Sequence, residues 1–361
     1  MPCLVPRCSS SAATMATSKK GNRIYVYTGK GAGIRSVNSA ARSISASLPL
    51  ADVRTLSAAA LLEGSWSSSA LALVMPGGAD LPYCADLNGR GNELIRSFVE
   101  EQGGSFLGFC AGAYYASSRV EFEVGSRKLR VEGDRELALF PGVALGAVVP
   151  GFRYETEAGA AATKLRWRTA REVEWRECLD YCNGGPVFVL RGGSGSGSSG
   201  GEEAAGRVPD KCEVAGVAVE VLARYHREED AASSSPSSSP AVAAAAEGGA
   251  AALRCRVGKG VAVLCGTHPE LRPARAWLLL APAAEDGEAA EEEDHGGGGG
   301  GGKEGKEEEN AAGGAATEAL AAEGKTVSEL VSGLDDPAAS AERERYWESL
   351  LDAAGLSGLK V

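Results

Sequence analysis

The sequence SFLGFCAGAYYASS, residues 105–118, decides the fold because a strand, a sharp turn and a helix start follow one another in it. The apolar run Ser105–Phe109 predicts a buried strand, and Ala111–Ser118 predicts the first turns of a helix. Cys110 occupies the turn between them, with a glycine two positions away on either side. Small residues there let the backbone turn tightly around a nucleophile. The stretch predicts an α/β fold with either a reactive thiol or an inert buried cysteine at this turn.

Alternating strand and helix patterns precede this stretch. Three β-rich or apolar segments and two amphipathic segments come before it: predicted strands Arg23–Thr28, Asp52–Leu56 and Ala70–Met75, and predicted helices Ser36–Leu48 and Asn92–Glu101. Strands that alternate with helices form a mostly parallel sheet that is covered on both faces. The first part of the chain therefore predicts a layered α/β sandwich.

After Ser118 the pattern changes to β-segments without clear helices between them. These are Val120–Val124, Lys128–Val131, Thr163–Trp167, Pro186–Leu190, Val214–Tyr225, Leu253–Val257 and Val261–Cys265, of which the last two form a predicted hairpin. Near the end, Ala338–Ala354 carries an apolar stripe and predicts an amphipathic helix. We expect additional β-structure beside the parallel sheet and a terminal helix that packs on it.

Low-complexity runs interrupt these patterns and set the expected domain organisation. We expect one α/β domain over residues 23–282, in which residues 191–206 and 229–250 are disordered surface inserts. The terminal helix is expected within residues 326–361. The inserts lie between periodic segments, so they are interpreted as loops of one domain and not as linkers between two.

The charge of the chain is concentrated in one segment. Residues 283–325 hold thirteen acidic residues and three lysines, which accounts for nearly all of the net charge of −11. We expect this Gly/Glu-rich segment to be disordered. The rest is close to neutral, so no nucleic-acid partner is expected. No apolar run approaches the roughly 18 residues of a membrane-spanning helix, so no membrane association is expected either.

The N-terminal segment has a separate composition. Residues 1–22 are rich in Ser, Ala and Thr, and the first acidic residue of the chain is Asp52. This segment is either a disordered tail or an organelle transit peptide. The expected location is cytoplasmic, or a plastid or mitochondrion if residues 1–20 are a transit peptide.

The cysteines and histidines narrow the chemistry. Nine scattered cysteines, with no Cys-x-x-Cys pair, and three histidines are present. An odd, irregular set argues against a disulfide framework, and no metal site or cofactor is expected. His226 borders a low-complexity run and His295 lies in the acidic segment, which leaves His268 as the candidate base.

Two further motifs support a thiol nucleophile. Thr267-His268-Pro269-Glu270 follows the predicted strand that ends at Cys265, and a thiol needs a base that a carboxylate orients. Pro76-Gly77-Gly78 follows another buried strand. An N–H of that turn, together with the N–H of Ala111, can form an oxyanion hole, although a plain turn is the alternative reading.

Longer stretches resemble the N-terminal domain of eukaryotic biotin–protein ligases, a family of the class I glutamine amidotransferase-like superfamily. The resemblance covers residues 23–270 apart from the inserts. It is carried by PGGADLPY (76–83), GGSFLGFCAGAYYASSRVEFEVG (103–125), FPG (140–142), YCNGGPVFV (181–189) and VGKGVAVLCGTHPE (257–270). It implies a flavodoxin-like three-layer sandwich with a mostly parallel central sheet.

The resemblance also implies roles for individual residues. It implies Cys110 as nucleophile, His268 as base and Glu270 as the residue that orients the base. Gly78 and Ala111 are the implied oxyanion donors. The implied substrate-binding residues are Gly77, Tyr83, Tyr114, Tyr181, Asn183 and Gly184. For Tyr114 and Tyr181, ordinary core packing is the alternative.

The sequence also departs from the family in two ways. Glutamine amidotransferases carry Gly-x-Gln after the nucleophile, whereas Ala113-Tyr114-Tyr115 stands here, which puts glutamine in doubt as substrate. No biotin-ligase catalytic domain is expected, so the chain is not expected to biotinylate proteins. Two functions stay open: a Cys-His-Glu thiol amidohydrolase acting on an unknown small amide, or a non-catalytic module. Such a module would bind a small ligand or regulate an unidentified protein partner, with a link to biotin-dependent metabolism.

Overall fold

The structure is a computed structural model that describes residues 21–154, 156–157, 159–169, 172, 174–191, 206–226, 240–273 and 333–360. Four of the predicted segments lie wholly or largely outside the described residues. They are the tail 1–22, the insert 191–206, the first half of the insert 229–250, and the acidic segment 283–325.

Five parallel strands form the centre of the sheet and bring the two candidate motifs side by side. Their order is β2 (Asp52–Leu56), β1 (Arg23–Tyr27), β3 (Ala70–Met75), β4 (Ser105–Phe109) and β15 (Gly260–Cys265). This is the flavodoxin-like order, in which ligand sites lie beyond the carboxyl ends of the strands. Phe109 at the end of β4 pairs with Cys265 at the end of β15, so the segments that follow both strands meet at one edge.

Helices cover both faces of these strands because their side chains alternate between two cores. On β1, Ile24 and Val26 belong to one hydrophobic cluster and Tyr27 belongs to the other. The first cluster packs against α1 (Ile34–Ser47) and α7 (Pro337–Ala353), and the second against α2 (Ala58–Glu63), α3 (Asp80–Leu87), α4 (Arg90–Glu100) and α5 (Ala111–Tyr115). The fold is therefore the expected three-layer α/β sandwich with a parallel central sheet.

A largely antiparallel extension continues the sheet beyond β15. β14 (Ala250–Val257) pairs with β15 and leads through β10 (Val187–Leu190), β7 (Phe140–Gly146) and β5 (Ser117–Phe122) to β6 (Val131–Asp134). A branch from β14 holds β13 (Val217–Tyr225), β12 (Lys211–Val214), β8 (Ala161–Trp167) and β9 (Arg176–Cys182), and β11 (Gly206–Arg207) pairs with β10. Of these strands, β5, β8, β10, β13 and β14 correspond to predicted β-segments, whereas the sequence analysis did not predict β7, β9 and β11.

The terminal helix α7 packs on the same face as α1. The indole N–H of Trp347 donates to Ser47 Oγ at 2.9 Å, and its ring lies 5.9 Å from that of Phe109. Tyr346, fully buried, contacts the Cys265 sulfur through its hydroxyl at 3.2 Å. The apolar stripe seen in the sequence is thus the face that docks on β4 and β15.

Several predicted elements differ from the structure. The helix expected over Ala111–Ser118 ends at Tyr115. The strand expected at Lys128–Val131 lies at Val131–Asp134. Residues 240–250 of the second insert form helix α6 (Pro240–Ala246) and the start of β14, since Val242 and Ala246 find buried positions. The Ser/Pro/Ala-rich composition of the insert predicts a disordered loop, and the structure differs from that expectation over this part of it.

Two other elements also depart from the expectation. Val214–Tyr225 is two strands, because Ala215 and Gly216 both adopt positive φ, 49° and 78°, and make a hairpin turn. Short 3₁₀ helices, which the sequence did not predict, occur at Ser65–Ser68 and Ser357–Leu359. None of the described helices is long and apolar enough to cross a membrane.

Candidate active site

Cys110 occupies a strained turn at the carboxyl edge of the sheet. Its φ is 46° and its ψ is −103°, values that non-glycine residues adopt at a cost of roughly 1–3 kcal/mol. Its N–H donates to the carbonyl of Cys265 at 2.9 Å, which ties the turn to β15. At Gly112 a Cβ would lie 2.1 Å from the carbonyl oxygen of Met75, so only glycine permits this close approach. Because α5 has five residues, it aligns fewer peptide dipoles behind the thiol than the sequence predicted.

His268 and Glu270 form a buried pair after β15. His268 Nδ1 lies 2.9 Å from Glu270 Oε1, and Glu270 is fully buried. An ionised carboxylate only accepts hydrogen bonds, so Nδ1–H donates and Nε2 is left for other partners. Burial by itself lowers the pKa of His268. The interactions with Glu270 and Cys110 outweigh it and hold that pKa well above 6.5.

Ser36 on α1 connects this pair to the turn after β3. Its hydroxyl accepts a hydrogen bond from the N–H of Gly77 at 2.8 Å and donates one to Glu270 Oε1 at 2.8 Å. Ser43, two turns further along α1, donates to the backbone carbonyl of Glu270 at 2.7 Å. Helix α1 therefore fixes both the carboxylate that holds the imidazole and the glycine turn opposite it.

The Ser36→Ala substitution is expected to lower the free energy of unfolding by about 1–3 kcal/mol, because it leaves the buried N–H of Gly77 without an acceptor. Urea unfolding measures this change. Ser45→Ala, an exposed position on the same helix, is the matched control and is expected to change stability by less than about 0.5 kcal/mol. Equal effects of the two substitutions would contradict the role assigned to Ser36.

The Pro76-Gly77-Gly78 turn presents one free donor, not two. The N–H of Gly77 is used by Ser36, and a Cβ at Gly77 would lie 2.4 Å from Cε1 of His268, so this glycine makes room for the imidazole. Gly78 has φ 143°. Within the described parts of the chain, the N–H groups of Gly78 and Ala111 have no hydrogen-bond acceptor. Both residues line the same cavity as Cys110.

A cavity of about 410 Å³ opens over Cys110. Of the residues that the resemblance implied for binding, Gly77, Tyr114, Tyr181, Asn183 and Gly184 line it, together with Gly78, Ala111 and His268. Tyr114 donates its hydroxyl hydrogen bond to the carbonyl of Gly184 at 3.0 Å. The Cys110 thiol makes a weak hydrogen bond to the backbone carbonyl oxygen of Asn183, with 3.8 Å between Sγ and that oxygen.

Tyr83, which the resemblance implied as a substrate-binding residue, lies elsewhere in the structure. It is fully buried in the core and does not line the cavity. Its hydroxyl donates to the carbonyl of Pro76 at 3.0 Å, and its ring packs edge-on against Tyr27 and Tyr115. The side chain supports the glycine turn from behind, because helix α3 directs it toward the sheet.

An aromatic wall lines the cavity, and Tyr114 is the one member of it that the sequence analysis named. The rings of Tyr114, Phe122, Phe152 and Tyr154 form a chain of edge-to-face contacts with centroid distances of 5.7, 5.2 and 5.0 Å. Val120 and Val131 complete this wall. Phe122 lies within the quoted stretch 103–125, but no sequence signal joins it to the loop that carries Phe152.

The charged residues at the rim are paired. Arg35 contacts Glu157 at 3.1 Å, and Glu157 also accepts a hydrogen bond from the hydroxyl of Tyr181. Asp80 contacts Arg135 at 2.7 Å. These pairs frame the opening of the cavity and were not predicted.

A buried ion pair supports His268 from the side of α7. Arg343 donates to Asp180 Oδ1 at 2.6 Å and to the backbone carbonyl of His268 at 3.0 Å. Thr267 donates to the other oxygen of Asp180 at 2.5 Å. Both charged side chains are almost fully buried. The terminal helix thus contributes directly to the position of the histidine.

The other two histidines do not take part in this arrangement. The His226 ring is 36% exposed and lies 3.9 Å from Glu177, away from the cavity lining. His295 lies outside the described residues. Among the residues that the structure describes, no three His, Cys, Asp or Glu side chains are grouped as metal ligands would be.

The strand order and the cysteine between β4 and α5 define the class of the protein: it has the class I glutamine amidotransferase-like fold. More narrowly, the chain belongs to the family of biotin–protein ligase N-terminal domains, which it matches over residues 22–293. A biotin–protein ligase of Schizosaccharomyces pombe is 31% identical over 252 residues, 68% of this chain and 33% of that protein. The chain therefore spans about a third of the length of this relative.

Other proteins show more limited similarity. An uncharacterised protein of Chlamydia muridarum is 41% identical over 103 residues, which cover 28% of this chain and 39% of that protein. Among solved structures, a glutamine amidotransferase is 17% identical with a TM-score of 0.38, covering 71% of this chain and 97% of that one. A protein described as a GMP synthase subunit from Thermoplasma acidophilum is 13% identical with a TM-score of 0.36, covering 69% and 85%.

Proposed function

We propose that this chain is a thiol-dependent amidohydrolase that acts on small amides. The observation that carries the proposal is the 2.9 Å contact between His268 Nδ1 and Glu270 Oε1 beside the cavity that Cys110 lines. This contact turns Nε2 of the ring into the nitrogen available for proton transfer. The backbone at Cys110, held at φ 46°, supports the role because strained turns recur at nucleophiles.

In the first half-reaction, the Cys110 thiolate attacks the carbonyl carbon of the amide. A C–S bond forms, and the carbonyl electron pair moves to oxygen. The N–H groups of Gly78 and Ala111, which have no acceptor among the described residues, stabilise that oxyanion. The His268 imidazolium gives its Nε2 proton to the amide nitrogen, the C–N bond breaks, and ammonia leaves a thioester on Cys110.

In the second half-reaction, water attacks the thioester while the neutral His268 takes the proton of the water. The C–S bond breaks and its electron pair returns to sulfur, so the thiolate and the imidazolium are restored. An amide and water become a carboxylic acid and ammonia. The sum balances without an oxidant or a reductant. Glu270 orients the ring throughout.

The test is to trap the thioester. Wild-type protein incubated with small primary amides is expected to release ammonia and, after acid quenching, to carry an acyl mass on the Cys110 peptide. The Cys110→Ser substitution is expected to abolish the adduct and lower turnover by at least about a thousandfold. Cys84→Ser, at a half-buried thiol outside the cavity, is the control and is expected to leave both unchanged. Ammonia release that persists in Cys110→Ser would refute the proposal.

A second candidate is a non-catalytic module that binds a small ligand. One observation favours it: Cys110 Sγ contacts the carbonyl oxygen of Asn183 at 3.8 Å, and a carbonyl oxygen is an acceptor for a protonated thiol. The similarity to a biotin–protein ligase would then connect the ligand with biotin-dependent metabolism. Ligand binding that is equal in wild type and Cys110→Ala, with no adduct in either, would favour this candidate.

A further inference from the structure

We infer that the cavity accepts primary amides of apolar acyl groups, aromatic or branched, in preference to glutamine. This inference rests on the proposed function and adds the substrate class. It draws on three features of the cavity: its aromatic wall, the pairing of its lining charges, and an unpaired acceptor on a lining side chain.

The aromatic wall favours an apolar ligand body. Phe122, Phe152 and Tyr154 stand edge to face, and Phe152 also packs on Gly184, where a Cβ would lie 2.6 Å from the ring. Aromatic rings gain additional stabilisation from edge-on partners at such distances. A volume of about 410 Å³ leaves room for an acyl group that carries a ring or a branched chain.

The rim charges disfavour glutamine. A free amino acid carries an ammonium and a carboxylate, and each needs an opposite, unpaired charge when it leaves water. Apart from His268, the charged residues among the described lining are Arg35, Asp80 and Glu157. Arg35 and Glu157 hold each other at 3.1 Å, and Asp80 holds Arg135 at 2.7 Å. A neutral ligand avoids breaking these pairs.

Asn183 favours an amide over an ester. Its side-chain Nδ2 donates to the carbonyl of Thr156 at 3.0 Å, which leaves Oδ1 as the acceptor. That oxygen is buried and has no hydrogen-bond partner among the described residues. An unpaired buried acceptor costs stability until a donor reaches it. A primary amide carries N–H donors for such an acceptor, whereas an ester carries none.

The test measures how well each compound protects Cys110 from iodoacetamide in the full chain, a readout that does not require turnover. Phenylacetamide is expected to protect at a concentration at least about tenfold below that of methyl phenylacetate or glutamine. The ester lacks the N–H donor and glutamine lacks the apolar acyl group, and the loss of one such contact weakens binding by about this factor. Phe152→Ala is expected to raise the half-protecting concentration of phenylacetamide about tenfold, with Phe152→Leu in between. Leu50→Ala, an exposed apolar residue outside the cavity, is the matched control.

Each outcome decides between the two proposals. Protection by phenylacetamide without ammonia release would refute the hydrolase and support the ligand class. Turnover of glutamine, with equal or better protection by glutamine than by phenylacetamide, would support the hydrolase and overturn the ligand class. If the half-protecting concentration of phenylacetamide were the same in Phe152→Ala as in Leu50→Ala, the ligand class would also be overturned.

Discussion

Replacement of His268 by alanine is expected to slow the alkylation of Cys110 by iodoacetamide about a hundredfold at pH 6.5. The reactive species is the thiolate, and a thiol with an ordinary pKa near 8.5 is only about 1% ionised at that pH. In the proposed mechanism, the His268 imidazolium is the counter-ion of the Cys110 thiolate. Without the ring, the thiol has no positive partner among the described cavity residues except Arg35, which Glu157 neutralises.

The pH profile separates this explanation from a simple change of access. Interactions with Glu270 and Cys110 raise the pKa of His268 above 6.5 despite its burial, so the imidazolium keeps its proton as pH rises past that value. The wild-type alkylation rate is therefore expected to rise less between pH 6.5 and 7.5 than the rate in His268→Ala. In His268→Ala it is expected to rise about tenfold over this unit, as for an isolated thiol.

Two controls make the measurement specific. Burial raises the pKa of the half-buried Cys84 to about 11, so this thiol reports slow alkylation in the same samples and is expected not to respond to His268. His226→Ala removes an exposed imidazole and is expected to leave the rate at Cys110 unchanged. If Cys110 labelled equally in wild type and His268→Ala, no working cysteine–histidine pair would exist, and the cavity would be left to a binding role.

Most of the central sheet could be predicted because β1, β3, β4 and β15 are short apolar or β-forming runs that end at a turn. Ala70–Met75 and Ser105–Phe109 were predicted with the bounds that the structure gives them. The proximity of Cys110 and His268 could be predicted for the same reason. Cys110 and His268 each follow directly on a strand, and parallel neighbours end at one edge of a sheet.

The supporting residues could not be predicted, because their partners are remote in sequence and their residue types are common. Ser36 contacts Glu270 across 234 positions, and nothing in the local pattern of α1 distinguishes it from the other serines there. The aromatic wall likewise joins β5 to a loop. Tyr83 was implied as a binding residue by its place in the motif, but it does not line the cavity. The direction of its side chain depends on how α3 packs, which the motif does not encode.

Replacement of Arg343 by methionine is expected to lower the free energy of unfolding by about 3–5 kcal/mol. Asp180 is fully buried, and Arg343 is its cationic partner at 2.6 Å. Removing one member of a buried ion pair leaves an uncompensated charge in the interior, which costs more than the pair itself contributes. Urea unfolding of the full chain measures the loss. Arg345→Met, two residues along α7, removes an exposed arginine and is expected to cost less than about 0.5 kcal/mol.

The double substitution Arg343→Met, Asp180→Asn identifies the cause of that loss. A neutral asparagine leaves no buried charge and still offers an oxygen to Thr267, which now donates at 2.5 Å. Stability is therefore expected to recover in large part relative to Arg343→Met alone. Cys110 alkylation is expected to be slower in Arg343→Met and to stay slow in the double variant, because both lack the hydrogen bond that Arg343 donates to the carbonyl of His268 at 3.0 Å. If alkylation recovered together with stability, α7 would stabilise the fold without positioning the histidine; if Arg343→Met cost no more than Arg345→Met, the buried pair would not hold the helix in place.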